Sequence, residues 1–225
     1  MFRKLFQQWK IKKMARQLRK PSGAAGIRTG HLMNRSNSFL YKHLLAVMNP
    51  SPGASLLEIG FGNGKTFPEI AAAAPGLKLT GLDYSAGMVK EAIRYNQSAI
   101  DRGELSLHKG SSDAMPFGDN SFDKVYCINV IYFWKDPAAH LREIMRVLKP
   151  GGSFYAVVRT TESLGQLPFT RYGFNKFNDE EWKAIFTGAG FIFHPPCPVE
   201  EPPGTFNGLP YQFSAVCYVI TRPGG

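Results

Sequence analysis

Residues 56–66 read Leu-Leu-Glu-Ile-Gly-Phe-Gly-Asn-Gly-Lys-Thr. An apolar run closes on an acid, breaks into glycines at Gly60, Gly62 and Gly64, and leads at once into a helix-compatible segment. That is a buried strand, a tight turn and a helix N-terminus, a unit in which backbone N–H groups approach a ligand closely. The glycine spacing narrows the ligand. The dinucleotide fingerprint G-x-G-x-x-G needs a third glycine at position 65, where Lys65 stands. The phosphate loop G-x-x-x-x-G-K-[ST] has its tail in Gly64-Lys65-Thr66, but it would open on a glycine at 59, which is Ile59. Both phosphate-binding patterns miss by one residue.

Further acids follow at informative places. Leu77–Asp83 reads as a strand whose last residue lies 21 positions beyond Gly62, near the ~20-residue offset at which a carboxylate reaches ribose hydroxyls. Tyr84 and Met88, just beyond, offer flat or soft apolar surface for an adenine face. Leu105–Lys109 is a further strand, followed by a polar turn with Asp113 and Ala114 and then Pro116-Phe117. Ser121–Asn129 is a central strand, and Val130–Trp134 follow at its carboxyl end, where open α/β sheets place their ligands. A helix over Pro137–Leu148 ends at Lys149-Pro150-Gly151-Gly152, before a strand at Ser153–Arg159. Strand and helix alternate five times to this point, so the fold class is α/β with a doubly wound, mostly parallel sheet. Asn178 opens a helix reaching Thr187. The strand-like runs Phe191–Val199 and Gln212–Thr221 then follow with no helix between them, which makes the last pair antiparallel.

A chain of 225 residues suits one sizeable α/β domain, expected over 51–225, with a helical extension over 1–50. No stretch approaches the ~20 apolar residues of a membrane span. Cys127, Cys197 and Cys217 form no C-x-x-C and cannot all pair, which fits reduced thiols and a cytoplasmic compartment and gives no reason to expect a metal site. The net charge of +10 is concentrated: residues 1–57 carry eleven Lys or Arg and no acid, and the remainder is nearly balanced. A nucleic-acid footprint over a catalytic face would be distributed differently.

Residues 1–20 read as a basic amphipathic helix with a stripe of Phe2, Leu5, Phe6, Trp9 and Leu18 broken by Lys13. It can pack that stripe on the domain, lie on an anionic membrane surface, or serve as a transit peptide. The first reading is the expectation, with peripheral membrane contact the main alternative. The polar cluster Gly30–Asn37 precedes a helix expected from about Asn37 to Met48, and is either a loop or a segment folded over the ligand site.

Five blocks, LLEIGFGNGKT, GLDYSAGMVKEA, GSSDAMPFGDNSFDKVYCIN, LREIMRVLKPGGSF and FNDEEWKAIFTGAGF, span residues 56–191. Together the chain resembles the class I S-adenosyl-L-methionine (SAM) methyltransferases, particularly the ubiquinone/menaquinone-biosynthesis branch. The resemblance implies a Rossmann-like seven-stranded sheet with an antiparallel last strand, and SAM as cofactor with S-adenosyl-L-homocysteine as product. By the same resemblance Glu58, Gly60 and Gly62 hold the methionine end and Asp83 the ribose. Tyr84 and Met88 flank the adenine, Asp113 and the Ala114 backbone read it, and Asn129 contacts the amino-acid part. Similarity to N-terminal extensions of bacterial members weighs against a transit peptide.

The family's [DN]-P-P-[FYW] motif of amino methyltransferases is absent after Asn129, and the sole Pro-Cys, Pro196-Cys197, stands far downstream of the place where cytosine-C5 enzymes carry theirs. A nucleic-acid substrate is therefore disfavoured and a small molecule expected. Tyr132 and His31 are the candidates for a general base, without assignment to either. The aromatics Tyr132, Phe133, Trp134, Phe169, Tyr172 and Phe174 suggest an apolar or aromatic acceptor. The alternatives are a lipid- or quinone-type acceptor at a membrane surface, and a SAM-binding protein or other SAM-fold transferase without methyl transfer.

Overall fold

The computed structural model describes the backbone of residues 2–206 and 209–224 and the side chains of residues 5–203 and 212–224. Helices α1 (Phe2–Arg19) and α2 (Gly23–Met48) precede β1 (Ser55–Ile59), α3 (Phe67–Ala71), β2 (Lys78–Asp83), α4 (Ala86–Asp101) and β3 (Leu105–Lys109). Next come β4 (Phe122–Ile128), α5 (Pro137–Val147), β5 (Leu148–Arg159), α6 (Thr161–Gly165) and α7 (Asp179–Gly188). The chain closes with β6 (Ile192–Phe193), β7 (Cys197–Glu200), the small hairpin β8 (Gly204–Phe206) and β9 (Leu209–Tyr211), and β10 (Ser214–Thr221).

The main sheet runs β3-β2-β1-β4-β5-β10-β6, and β7 also pairs with β10. The first five strands are parallel, whereas β10 is antiparallel to β5, β6 and β7. The expected strand over Phe191–Val199 is thus two short strands on one edge position, interrupted around Pro195-Pro196, where neither residue has an N–H to offer the ladder. Strand order reverses between β1 and β4, and the crevice at their carboxyl ends is the ligand position of such sheets.

Alternation along the strands separates two cores. Leu57, Ile59, Val125 and Cys127 pack with α5 and α7 residues such as Ile144 and Phe186. Leu56, Tyr126 and Ile128 pack with Leu40 and Leu44 of α2 and Ile70 of α3. The capping box at Asn178 and Glu181 starts α7 where the sequence places it.

The structure decides two expectations about the extension. Of the two readings of Gly30–Asn37, the segment folded over the ligand site holds and the loop does not: α2 is continuous from Gly23, because Gly26, Gly30, Asn37, Leu40, Tyr41, Leu44 and Met48 recur on one buried face. Helix α1 forms as expected but turns a different face inward. Ala15 is buried and Ile11, Met14 and Leu18 partly so, while Leu5, Phe6 and Trp9 remain more than half exposed. The Phe2 side chain lies outside the described residues.

Candidate cofactor site

A cavity of about 310 Å³ opens at the carboxyl ends of β1, β2 and β4 and is roofed by α2 and the end of α1. Its floor is the glycine turn. The Gly60 N–H donates to the Leu82 carbonyl at 2.8 Å, tying the turn to β2. All three glycines have positive φ, and each does a different job. A Cβ on Gly60 would stand 2.6 Å from the Val130 side chain, and one on Gly64 2.7 Å from Ala92 of α4. A Cβ on Gly62 would meet nothing within 4 Å and would point into open space at the cavity wall.

Asp83 closes β2 and is 7% exposed. Its carboxylate accepts from the Gly62 N–H at 3.0 Å and the Ser85 N–H at 2.8 Å, which leaves lone pairs for a further pair of donors. Burial pushes this carboxyl up to about 6, against the pull of those two N–H groups. Across the cavity Asn129 follows β4 with φ +58 and its side chain buried. Its Nδ2 donates to Asn37 Oδ1 of α2 at 3.1 Å, and its Oδ1 is buried without any hydrogen-bond partner. An orphaned buried acceptor on a residue that lines a cavity is a place for a ligand donor.

Tyr84, Met88 and Asp113 also line the cavity. The Tyr84 hydroxyl donates to the Arg19 carbonyl, the Ser85 hydroxyl donates to the Pro21 carbonyl at 2.5 Å, and burial raises the Tyr84 phenol to about 12. These two bonds latch the α1–α2 connection onto the turn after Asp83. The site residues read from sequence therefore meet in one place, with four exceptions. Glu58 is not on the cavity: alternation puts it beside Leu56 facing α2, where it accepts from Tyr41 at 2.5 Å and Tyr126 at 3.1 Å. Burial lifts its carboxyl to about 7 despite those two hydroxyls. Ala114 stands outside the lining, and its N–H already donates to the Ser111 carbonyl at 3.2 Å. Tyr132 is buried against Phe133 and Phe174, with ring centroids 4.7 and 4.9 Å away, and burial raises its phenol further above the ordinary range. His31 is on α2, but it too is off the cavity.

The cluster Gly30–Asn37 does fold over the site, whereas Tyr41, Ser112 and His140 are not among the residues singled out in the sequence. Asn34 of α2 donates to Asn63 Oδ1 at 3.0 Å, so the helix grips the glycine turn as well as Asn129. Gly30, Asn34, Asn37 and Tyr41 all face the cavity, and their three- and four-residue spacing is the signal that extends the Gly30–Asn37 cluster to Tyr41. On the opposite wall Ser112 pairs with His140 Nδ1 at 2.8 Å, and the His140 ring stacks on Trp134 at 4.6 Å. Burial lowers the His140 pKa. Phe133 and Trp134 reach the cavity, while Phe169 joins the Phe174 cluster behind them.

The fit to SAM can be judged on these atoms. The donor-poor wall at Asn129 Oδ1 suits an ammonium, the free lone pairs of Asp83 suit vicinal hydroxyls, and the bare Cα of Gly62 leaves space for a ligand against the turn. The residues fit the group.

The chain is similar to known methyltransferases. The family model described as "Methyltransferase domain" matches residues 57–156. The "O-methyltransferase resE" of Aspergillus sclerotiorum is 34% identical over a stretch covering 47% of this chain and 40% of that protein. The "Ubiquinone/menaquinone biosynthesis C-methyltransferase UbiE" of Geobacter sulfurreducens is 29% identical, covering 63% of this chain and 66% of that one. The chain thus spans less than two thirds of the length of these two relatives. Among solved structures, the methyltransferase in complex with the Haloferax volcanii Trm112 methyltransferase activator superposes with a TM-score of 0.74 at 24% identity, covering 87% of this chain and 94% of that one.

Proposed function

We propose that the chain is a class I SAM-dependent methyltransferase that transfers a methyl group from SAM to a small, apolar or aromatic acceptor; the methyltransferase-domain match over residues 57–156 supports this reading. The observation that carries the reading is the pair of unspent acceptors across the cavity, the Asp83 carboxylate and Asn129 Oδ1, with the open turn at Gly62 between them.

In this reading Asn129 Oδ1 takes the ammonium of the methionine end, and Asp83 takes the ribose hydroxyls in its ionised form. Tyr84 and Met88 flank the base, and Asp113, which is exposed at the cavity wall, accepts from its exocyclic amine. Glu58 is a positioning residue: through Tyr41 it fixes α2, which carries Asn34 and Asn37 to the site. Bound SAM supplies an electrophilic sulfonium methyl. The protein's part is orientation, which is worth ~7–11 kcal/mol when two reactants are held in line. Val130, Phe133 and Met33 give the acceptor side an apolar wall, which supports an apolar or aromatic acceptor over a strongly polar one. No general base is assigned, and a base is needed only where the acceptor must lose its proton during transfer.

The test is incubation of the protein with SAM and a panel of phenolic, quinol-type and sterol-type acceptors. Formation of S-adenosyl-L-homocysteine together with an acceptor heavier by one CH₂ is expected. SAM binding without turnover across the panel would favour a SAM-binding protein without methyl transfer.

A further inference from the structure

Helix α1 packs one face on the rest of the chain and leaves the N-terminal part of the opposite face exposed. Leu5, Phe6 and Trp9 are 54%, 56% and 55% exposed, and Phe6 and Trp9 stack with ring centroids 6.0 Å apart. At about 100° per residue, Lys12, Lys13, Arg16 and Lys20 continue the same face toward the C-terminal end of the helix. Lys10 and Lys13 lie over the Phe6 and Trp9 rings at 4.5 and 5.0 Å, their stems along the apolar surface. The cations then border a groove of about 740 Å³ that Trp9, Tyr84 and Lys135 help complete, and among the described residues no carboxylate lines it. The absence of any acid from residues 1–57 leaves this charge uncompensated along the arm.

We propose that this face of α1 docks on an anionic lipid bilayer, with Leu5, Phe6 and Trp9 in the interfacial layer and the groove over phosphate headgroups. A bilayer accounts for both halves of the face. Three contiguous large apolar side chains in water mark an interaction site, and clustered Lys and Arg beside them are drawn to a negative leaflet. A polynucleotide would use the cations but has no place for Leu5. Tyr84, Arg19 and Lys135 line both the groove and the cofactor cavity. A docked chain therefore holds the cavity mouth at the lipid surface, where an apolar acceptor dissolves. That consequence rests on the proposed activity, whereas the docking does not.

Trp9 is its own probe, since Trp134 and Trp182 are only 3% and 2% exposed. The full chain, without cofactor, would be titrated at low salt with phosphatidylcholine vesicles containing about a third phosphatidylglycerol, with phosphatidylcholine alone, and with single-stranded RNA. The expected result is co-sedimentation with the anionic vesicles, accompanied by a blue shift of Trp9 emission and weakened by salt. K12Q/K13Q/R16Q should lower the partition roughly a hundred-fold, at about five-fold per cation. L5S/F6S should lower it too, and the SAM affinity of both variants should stay that of the parent. No partition onto anionic vesicles at low salt would overturn the proposal. So would binding to RNA with the vesicles ignored, or partition that survives both sets of substitutions.

Discussion

Asp83 and Glu58 are two buried carboxylates on neighbouring strands, and their surroundings give them different tasks. Asp83 has acceptor capacity to spare and a carboxyl held up to about 6 by burial. Its ionised form is the one that accepts from hydroxyls, so SAM affinity should be level above about pH 7. Below about pH 6 it should fall, approaching tenfold per unit. Asp83→Asn should lose at least tenfold in affinity at pH 8 and flatten that profile, as calorimetry across pH would record. Glu58 has both oxygens taken by tyrosines and acts on stability. Its carboxyl rises from 4.5 to about 7, so between those values the folded state holds a proton that the unfolded chain has lost. Stability from this group is therefore full below about pH 4.5 and declines as pH rises to about 7. Glu58→Gln should remove that decline, gaining on the parent by up to about 3 kcal/mol between pH 4.5 and 7.5 in denaturant titrations. The strand-end position of both acids was legible in the sequence. That Glu58 faces α2 followed from two-residue alternation with Leu56, and the resemblance that assigned it to the ligand obscured this.

At the scale of elements, the glycine turn and α2 form the two walls of the site. Gly60→Ala combines positive φ with a 2.6 Å approach to Val130 and should cost on the order of 2–4 kcal/mol of stability. Gly62→Ala meets no neighbour, so it should cost only about 1–2 kcal/mol of backbone strain while its methyl intrudes on the ligand. Thermal unfolding paired with SAM titration separates the two: Gly60→Ala shows mainly in Tm, Gly62→Ala mainly in affinity. Asn34→Ala/Asn37→Ala breaks the bonds from α2 to Asn63 and Asn129 and should speed SAM dissociation in stopped-flow, with a smaller effect on Tm. The turn was readable because glycine at alternate positions has few other uses. The second half of helix α2, from Asn37 to Met48, was readable too, but its first half was not, because the glycines and asparagines there locally favour turns. Burial of one face against β1 and α4 overrides that preference.

Across the whole molecule, alternation of strands and helices was enough to assign a doubly wound sheet, and the missing helix before β10 was enough to reverse its direction. The reversal of order between β1 and β4 is a property of long-range pairing with no local signature, yet it brings Gly62, Asp83 and Asn129 to one cavity. The facing of α1 was likewise out of reach. Its apolar residues spread around the helix, and only packing against α2 and the turn at Pro168–Arg171 selects Ala15 and Leu18 over Trp9. Among the described residues no helix is long and apolar enough to cross a membrane. Since the cavity is built from elements distant in sequence, its ligand should stabilise the fold as a unit, by about 2.7 kcal/mol at a hundredfold excess of SAM over Kd.

The central claim is that the turn at Gly60–Gly64 cradles SAM and no phosphate-bearing nucleotide. Calorimetric titration of the chain at pH 7.5 with SAM, NAD and ATP in parallel tests it most directly. Saturable heat with SAM that is sharply reduced in Asp83→Asn, and none with NAD or ATP, is the result expected. Binding of NAD or ATP with no response to SAM would contradict it.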